Sequence, residues 1–333
     1  MLRRYCTPWL APLLALLTAS AGAPSAADAP AERLTVASWN VAHFYANDAL
    51  YRGDRRKYRR APEDLAQLRA YAAALDADVI LFQELDGHEA ARRLLPEGYC
   101  IEASPRDSGN PITGAQRLVV AFRTDAACGT RVRWLRTLGL PGSHLRYGAE
   151  FVITLGDQTV RLLGVHLKSG CHAAPLDLAD RLPDDASRRE MRRAKACARL
   201  AQQLPILERW VEARAAEGGP FILFGDFNRR FGVEGTARDG AWMWPVLSDG
   251  DPDAQRLVRP TRFRRAPCWR GVRYPRFIDH FVMNEEAAAL VALEGFDQPT
   301  YDAPFAGEAE MAWRLSDHCA IRLRLQAPPE RTG

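Results

Sequence analysis

Outside its N-terminal segment, the sequence has no apolar run long enough to cross a membrane as a helix, which takes roughly 20 residues. The apolar run over residues 9–17 is shorter, follows Arg3 and Arg4, and precedes small residues that continue to Ala27. This order of basic, apolar and small residues is typical of a cleaved secretory signal peptide. We therefore predict a signal peptide over residues 1–27, no transmembrane anchor, and a secreted or periplasmic protein.

The sequence also lacks a large excess of charge of one sign. Its 45 Lys and Arg residues oppose 41 Asp and Glu residues, which gives a net charge of +4. Loss of Arg3 and Arg4 with the signal peptide would lower the net charge to +2. A net charge this small excludes a strongly cationic, histone-like protein and a polybasic tail. Local clusters of charge can still bind a partner.

Short metal-binding motifs are missing as well. No CxxC or HExxH spacing occurs, so a zinc site is disfavoured. Cys6 lies in the predicted signal peptide, and the other six cysteines form an even set that we expect to oxidise outside the cytoplasm. Other pairings remain open, but the most local set joins Cys100 to Cys128, Cys171 to Cys197, and Cys268 to Cys319.

Beyond Ala31 there is no repeat and no long Gly/Ser-rich or Pro-rich linker. With 333 residues, 47% apolar and 26% charged, the composition is that of a globular protein that can bury a sizeable core. The length alone fits either two domains or one large α/β domain, so the number of domains has to follow from where the motifs lie.

Strand and helix signals alternate along the chain. Short apolar runs bounded by polar residues predict strands over Leu34–Trp39, Asp78–Phe82, Leu118–Phe122, Val160–Val165, Phe221–Phe224, Phe277–Met283 and Ala320–Leu325. Apolar residues at spacings of three and four predict a helix over Pro62–Leu75. Ser187 and Glu190 form a capping-box pair that begins a second helix, which Pro205 should kink and Gly218 should end.

Most of these strands end in, or begin from, a characteristic set of polar residues. The blocks are Trp39-Asn40, Gln83-Glu84, His166-Leu167-Lys168-Ser169, Gly225-Asp226-Phe227-Asn228, Ile278-Asp279-His280 within the predicted penultimate strand, and Ser316-Asp317-His318. If strand ends converge on one edge, the blocks would gather carboxylates, amides and imidazoles in one place. That set suits metal-assisted phosphoryl chemistry, because carboxylate oxygens bind Mg²⁺ and histidine can act as an acid or a base.

In wording and order, these blocks resemble the endonuclease/exonuclease/phosphatase superfamily, which includes pancreatic deoxyribonuclease, exonuclease III and the neutral sphingomyelinases. The resemblance extends from Trp39 to His318. It implies one domain over residues 28–333, with an α/β fold that is a four-layer α-β-β-α sandwich of two mainly antiparallel sheets. The block that begins at His166 resembles a secreted bacterial-type branch rather than the abasic-site repair branch.

The resemblance also assigns roles at one rim of the sandwich. Mg²⁺, with Mn²⁺ and Ca²⁺ as alternatives, would be held by Asn40, Glu84 and Asp317. In catalysis, Asp226 and Asn228 would orient the attacking water and contact the phosphate or a second metal. Asp279 would orient His318, and His166 would contact a phosphate oxygen or assist the leaving group. Arg146, expected on the strand before the His166 strand, and Lys168 would bind substrate. The resemblance leaves open whether Asp226 or His318 activates the water.

The remaining histidines receive no role in the site. His280 follows Asp279 directly and should point to the opposite face of its strand, so we expect it to be structural. No motif supports the other four, which we expect on the surface or in loops: His43, His88, His144 and His172.

Two arginine-rich stretches, Tyr51–Arg60 and Arg262–Arg276, interleave cations with aromatic residues beside the predicted site. Cations for phosphates and aromatic rings for stacking are typical of a nucleic-acid groove, although a solvated surface has the same composition. Trp242-Met243-Trp244 is the one candidate for a lipid-inserting hairpin, and core packing is the better explanation for it. We therefore predict a monomeric, metal-dependent phosphodiesterase, a nuclease that cuts DNA or RNA; the alternatives are a sphingomyelinase-like lipid phosphodiesterase and a phosphomonoesterase.

Overall fold

The computed structural model describes residues 32–105, 116–234, 239–250, 256–262, 264–266, 268, 276–301, 310 and 313–328. The predicted signal peptide over residues 1–27 lies outside the described residues. No helix within the described ranges combines the length and the apolar character that a membrane span needs.

Eleven strands are present in the described residues. In chain order they are β1 (Arg33–Phe44), β2 (Val79–Leu85), β3 (Tyr99–Ala103), β4 (Arg117–Arg123), β5 (Arg133–Leu135), β6 (Gly148–Leu155), β7 (Gln158–His166), β8 (Phe221–Asp226), β9 (Asp279–Met283), β10 (Val291–Asp297) and β11 (Ile321–Gln326). The α-helices are α1 (Pro62–Ala74), α2 (His88–Leu94), α3 (Arg188–Glu217), α4 (Phe231–Glu234), α5 (Met243–Leu247) and α6 (Glu285–Ala289).

The strands form two mixed sheets. Sheet I has the order β10-β11-β1-β2-β4-β3, and sheet II has the order β5-β6-β7-β8-β9. The pairs β1-β2 and β7-β8 are parallel. All other pairs are antiparallel, so the predicted class of mainly antiparallel sheets is confirmed.

Three apolar clusters separate four layers. One lies between the sheets, where Val36 and Leu81 of sheet I pack with Phe224 of sheet II. Strand side chains alternate in direction, so the neighbouring residue of β1, Ala37, belongs to a second cluster under α1 and α2. The third cluster covers the outer face of sheet II, where Leu200 of α3 packs. The order of layers is therefore helix, sheet, sheet, helix, as predicted.

Seven predicted strands each overlap a strand of the structure, but four strands escape the sequence signals: β3, β5, β6 and β10. Because β10 lies between β9 and β11, the prediction that Asp279 belongs to the penultimate strand is wrong. Both predicted helices are present as α1 and α3. The capping box at Ser187 and Glu190 begins α3, which continues through Pro205 and has its C-cap at Gly218.

Three disulfides brace the connections, and they are the pairs that the sequence suggests. Cys171–Cys197 joins the segment after β7 to α3, Cys268–Cys319 joins the segment before β9 to the segment just before β11, and Cys100–Cys128 joins β3 to the segment after β4. Two of the bridges lie next to the blocks that begin at His166 and end at His318.

His280 is buried in the layer outside sheet II, as its strand position predicts. Its Nε2 donates to the main-chain oxygen of Arg229 at 2.8 Å, and its Nδ1 accepts from the Thr261 hydroxyl at 2.8 Å. The Phe231 ring lies 4.5 Å from its own, centroid to centroid. Burial lowers the pKa of His280 to about 3, so the ring is neutral in the folded protein.

We predict that the free energy of unfolding falls with acidification below pH 6.5 and that His280 causes part of the decline. Between pH 6.5 and about 3 the unfolded chain binds a proton that the folded chain excludes, which costs about 2 kcal/mol between pH 6.5 and 5. In urea denaturation between pH 5 and 7, the free energy of unfolding of His280→Gln should fall less steeply with decreasing pH than that of the wild type. The exposed His88 provides the matched control, His88→Gln. An unchanged slope in His280→Gln would contradict this prediction.

Candidate active site

The strand register brings the polar blocks to one edge of both sheets. In sheet I, Asn40 of β1 pairs with Gln83 of the parallel strand β2. In sheet II, His166 of β7 pairs with Asp226 of the parallel strand β8, and Asp226 pairs with Asp279, where the antiparallel strand β9 begins. The blocks therefore converge as the sequence predicts.

Irregularities in two neighbouring strands turn side chains of sheet I into this edge. The register of β1 with β2 shifts after Asn40, and the register of β2 with β4 shifts between Phe82 and Leu85. His43 and Glu84 have left-handed φ angles of 52° and 66°. A bulge of this kind re-aims a side chain at a cost in backbone strain, which is characteristic of functional sites.

A glycine allows the backbones of β7 and β8 to lie close together in sheet II. Gly225 has φ 133°, and a Cβ atom at this position would collide with the main-chain oxygen of Val165. Only glycine therefore fits between β7 and the end of β8. The adjacent Asp226 Oδ2 consequently lies 3.4 Å from His166 Nε2.

Asn40 joins two carboxylates that belong to different sheets. Its Nδ2 donates to Asp226 Oδ2 at 3.1 Å and lies 3.4 Å from Glu84 Oε1, and its Oδ1 accepts from the main-chain N–H of Ala42 at 3.0 Å. The Asn228 main-chain N–H donates to Asp226 Oδ1 at 2.8 Å. These contacts fix both oxygens of Asp226.

His318 and Asp279 form a buried pair. The Nδ1 of His318 lies 2.8 Å from Asp279 Oδ2, and its Nε2 lies 3.9 Å from Asp226 Oδ2. Burial opposes the charged ring, but the carboxylates of Asp279 and Asp226 outweigh burial and raise the pKa of His318 well above its usual range. His318 is therefore an imidazolium at neutral pH.

Three other acid–base groups of the site have shifted pKa values as well. Burial raises the pKa of Asp226 to about 7, although the positive charge of His318 opposes this shift. Burial also opposes ionisation of Glu84, but electrostatic interactions with His43 first, and then with Arg146 and His318, lower its pKa overall. His166 is neutral, because burial and then the charge of Arg146 lower its pKa well below the usual value.

A cleft of about 570 Å³ gives access to this cluster. The predicted site residues that line it are Asn40, Glu84, His166, Asp226, Asn228, Asp279, Asp317 and His318. The described lining does not include Arg146 or Lys168. Arg146 precedes β6 instead of lying on it, and donates to the Leu167 main-chain oxygen at 3.1 Å. The ammonium group of Lys168 donates to the main-chain oxygen of Ser169 at 2.7 Å.

A model of the endonuclease/exonuclease/phosphatase family matches residues 37–318. The chain belongs to this family. Its members are phosphoric ester hydrolases that depend on divalent metal ions. No protein of curated function matches the sequence.

Solved structures show the same fold at low identity. The structure of D. rerio TDP2, humanized by 14 mutations, is 16% identical with a TM-score of 0.50, and the match covers 89% of this chain and 100% of that chain. Truncated Caenorhabditis elegans TDP2 is 14% identical with a TM-score of 0.50, and the match covers 89% of this chain and 98% of that chain.

The donor atoms of the cleft fit the divalent metal on which the family depends. Glu84 and the exposed Asp317 present carboxylate oxygens to the cleft, and such oxygens are the ligands that Mg²⁺ prefers. Asp279 Oδ1 is buried and accepts no hydrogen bond from the described residues. Donor atoms of Asp226, Asp279 and His318 also lie within 4.8 Å of one another. A buried carboxylate oxygen without a donor is compatible with a nearby cation.

Sequence reasoning missed residues that support Glu84. His43, expected on the surface or in a loop, lies on β1, and its main-chain N–H donates to Glu84 Oε2 at 3.1 Å. The Gln116 amide donates to the same oxygen at 2.9 Å. The bulge in β1, which the composition does not signal, turns the His43 backbone toward the acid.

His172 lies in a loop as predicted, yet it lines the cleft. Its Nδ1 lies 3.0 Å from the Asn228 main-chain oxygen. The neighbouring disulfide at Cys171 holds this loop at the site. The sequence does indicate this position, because His172 follows a cysteine that comes closely after the block beginning at His166.

Some residues of the two basic stretches do not form the nucleic-acid groove that the sequence predicts. The Arg60 guanidinium donates to the main-chain oxygens of Val41 and Ala42, both at 2.7 Å, so it supports the β1 bulge instead of a substrate. In the second stretch, residues 263, 267 and 269–275 lie outside the described ranges, and these include Phe263, Trp269, Arg270, Arg273 and Tyr274.

We predict that the His318 ring of the metal-free protein stays protonated at pH 7 and that Asp279→Asn lowers its pKa. The substitution keeps the shape of the partner but removes the charge that stabilises the imidazolium. Side-chain ¹⁵N NMR of histidine between pH 5 and 9 in EDTA measures the shift. Asp157→Asn, in the exposed turn between β6 and β7, is the control. A pKa near 6.5 for wild-type His318 would contradict the claim that Asp279 stabilises its imidazolium.

Proposed function

We propose that this protein is a secreted or periplasmic, Mg²⁺-dependent phosphodiesterase that hydrolyses DNA or RNA by in-line attack of water. The observation that carries the proposal is the buried His318–Asp279 pair, in which His318 Nε2 lies 3.9 Å from Asp226 Oδ2 at the cleft that Glu84 also lines. The arrangement combines an acid, a base and metal-binding oxygens around one pocket.

The pKa shifts support distinct roles for Asp226 and His318. Asp226, whose pKa is raised to about 7, would accept the proton of the attacking water as its oxygen bonds to phosphorus. His318 already holds its proton, so it would donate that proton to the ester oxygen as the P–O bond breaks. Of the two bases that the resemblance leaves open, these shifts favour Asp226.

The surrounding residues would position the phosphate. Glu84 and Asp317, with Asn40 beside them, would hold a divalent ion, which would supply positive charge near the phosphate oxygens. In the structure the Asn40 amide donates toward Glu84 and Asp226, so we propose that it also fixes the spacing of these carboxylates. His166 and Asn228 complete the pocket, and Arg146 and Lys168 contribute positive charge from outside its lining.

The cleft surroundings favour a nucleic acid over a lipid. Met243 is completely buried, and the Arg259 guanidinium lies 3.9 Å from the centroid of the Trp244 ring. The Trp242-Met243-Trp244 segment therefore offers no free apolar hairpin of the kind that enters a lipid interface. Arg276, by contrast, is exposed at the cleft, where it could meet a backbone phosphate.

We further propose that residues 28–333 form one domain that acts as a monomer outside the cytoplasm. The site needs Asn40 and His318 together, which lie near opposite ends of the chain. Three disulfides support an oxidising compartment, because such bonds are rarely maintained in the cytosol.

A substrate panel tests the proposed activity. The mature protein is incubated with plasmid DNA, RNA, sphingomyelin, inositol phosphates and a simple phosphomonoester, each with Mg²⁺ and with EDTA. We expect hydrolysis of DNA or RNA that EDTA abolishes, and His318→Ala should lower the rate by about 10² or more. Clear sphingomyelin turnover with inert nucleic acids would favour the lipid phosphodiesterase, and turnover of the monoester alone would favour the phosphomonoesterase.

A second experiment tests the role of Glu84. Glu84→Gln should weaken Mg²⁺ binding, measured by titration calorimetry, and lower nucleic-acid hydrolysis by about 10² or more, because it removes the ionised carboxylate at the cleft. Glu102→Gln on the exposed side of β3 is the matched control. Metal affinity equal to wild type in Glu84→Gln would reject Glu84 as a ligand.

A further inference from the structure

A second, larger cavity adjoins the active-site cleft. Its volume is about 980 Å³, and Arg276 and Phe277 line both the cleft and the cavity. Among the described residues six arginines line it, and we call it the arginine cavity: Arg256, Arg259, Arg262, Arg264, Arg265 and Arg276. No role in the reaction proposed above requires this cavity.

Much of its positive charge is not neutralised by carboxylates. Within the described parts of the chain, Arg256, Arg265 and Arg276 are exposed and have no acidic partner within 4.0 Å. The lining does include Glu234, but this carboxylate is buried against Arg229 on another side and accepts the Trp244 main-chain N–H at 2.6 Å. Glu285 is the other acidic residue of the described lining.

Two of the arginines are held in place by neutral groups. Arg259 Nη2 donates to the Phe231 main-chain oxygen at 3.2 Å and packs on the Trp244 ring. Arg264 Nη1 donates to the Phe296 main-chain oxygen at 3.2 Å. Burial, and then the positive charge of Arg262, lowers the pKa of Arg259 to about 10, as expected where cations are crowded. Such fixed guanidinium groups lose little freedom when they bind an anion.

We propose that the arginine cavity binds backbone phosphates of the nucleic-acid strand that leaves the active-site cleft past Arg276 and Phe277. This inference rests on the proposed function. The cavity is too large, and its cations too numerous, for a single phosphate, whereas a strand that continues from the cleft presents phosphates at regular intervals. The arginine cavity thus extends the site by several nucleotides and makes hydrolysis more efficient for longer substrates.

The test compares a long and a short substrate with the double variant Arg256→Ala/Arg265→Ala. The substrates are a 12-nucleotide DNA strand and bis(p-nitrophenyl) phosphate, which is too small to reach from the cleft into the cavity. We expect the ratio of kcat/KM for the strand to kcat/KM for the small diester to fall about tenfold. Fluorescence anisotropy of the labelled strand in EDTA should show weaker binding and a log–log salt slope reduced by about 1.4, since each phosphate contact contributes about 0.7 for single strands.

The matched control is Arg131→Ala/Arg209→Ala, which removes two exposed arginines that line neither cavity. The inference is overturned if the test and control variants give the same substrate ratio and the same salt slope, or if wild-type protein hydrolyses the small diester yet does not bind the strand. Failure of wild-type protein to hydrolyse either substrate would instead reject the proposed function, and the anisotropy measurement would still report on the arginine cavity.

Discussion

The hydrogen bond from Asn40 to Asp226 joins the two sheets where the site forms. Its partners are 186 residues apart in sequence, and both are buried. A buried carboxylate without donors would be costly, and a hydrogen bond to a charged group contributes about 1.5–3 kcal/mol. The bond holds only while sheet I and sheet II pack at one distance, which the apolar cluster between them sets. The packing of the core therefore determines the geometry of the site.

The strands that the sequence misses are less continuously buried than most of the strands that it predicts. β2 and β8 are almost wholly buried, so their apolar runs stand out. β3, β5 and β10 are sheet edges with mostly half-buried or exposed residues, and β6 alternates buried and exposed positions toward its end. Edge strands carry mixed side chains because one of their flanks is unpaired, and such a composition resembles that of a loop.

For the site, residue type and order predict the members, but not the contacts that hold them. Asn40, Asp226 and His318 are evident because polar residues at the ends of buried strands are unusual. Gln116 and His43 are not, since their relation to Glu84 arises from bulges in β1 and β2 that depend on pairing between strands. Charge clustering in sequence is similarly ambiguous: Arg60 binds main-chain oxygens, whereas Arg276 faces the cleft.

Arg229 holds the cleft and the arginine cavity in fixed positions relative to each other. It follows the Asn228 block, is completely buried, and donates to the main-chain oxygens of Cys171 and Ala174 on the far side of the cleft wall. It also pairs with Glu234, which accepts the main-chain N–H of Trp244, and Trp244 supports Arg259. A buried ion pair contributes little net stability, because desolvation of both charges offsets their attraction. What it contributes here is position: one guanidinium connects the disulfide-braced loop, the Asn228 block and the wall of the arginine cavity.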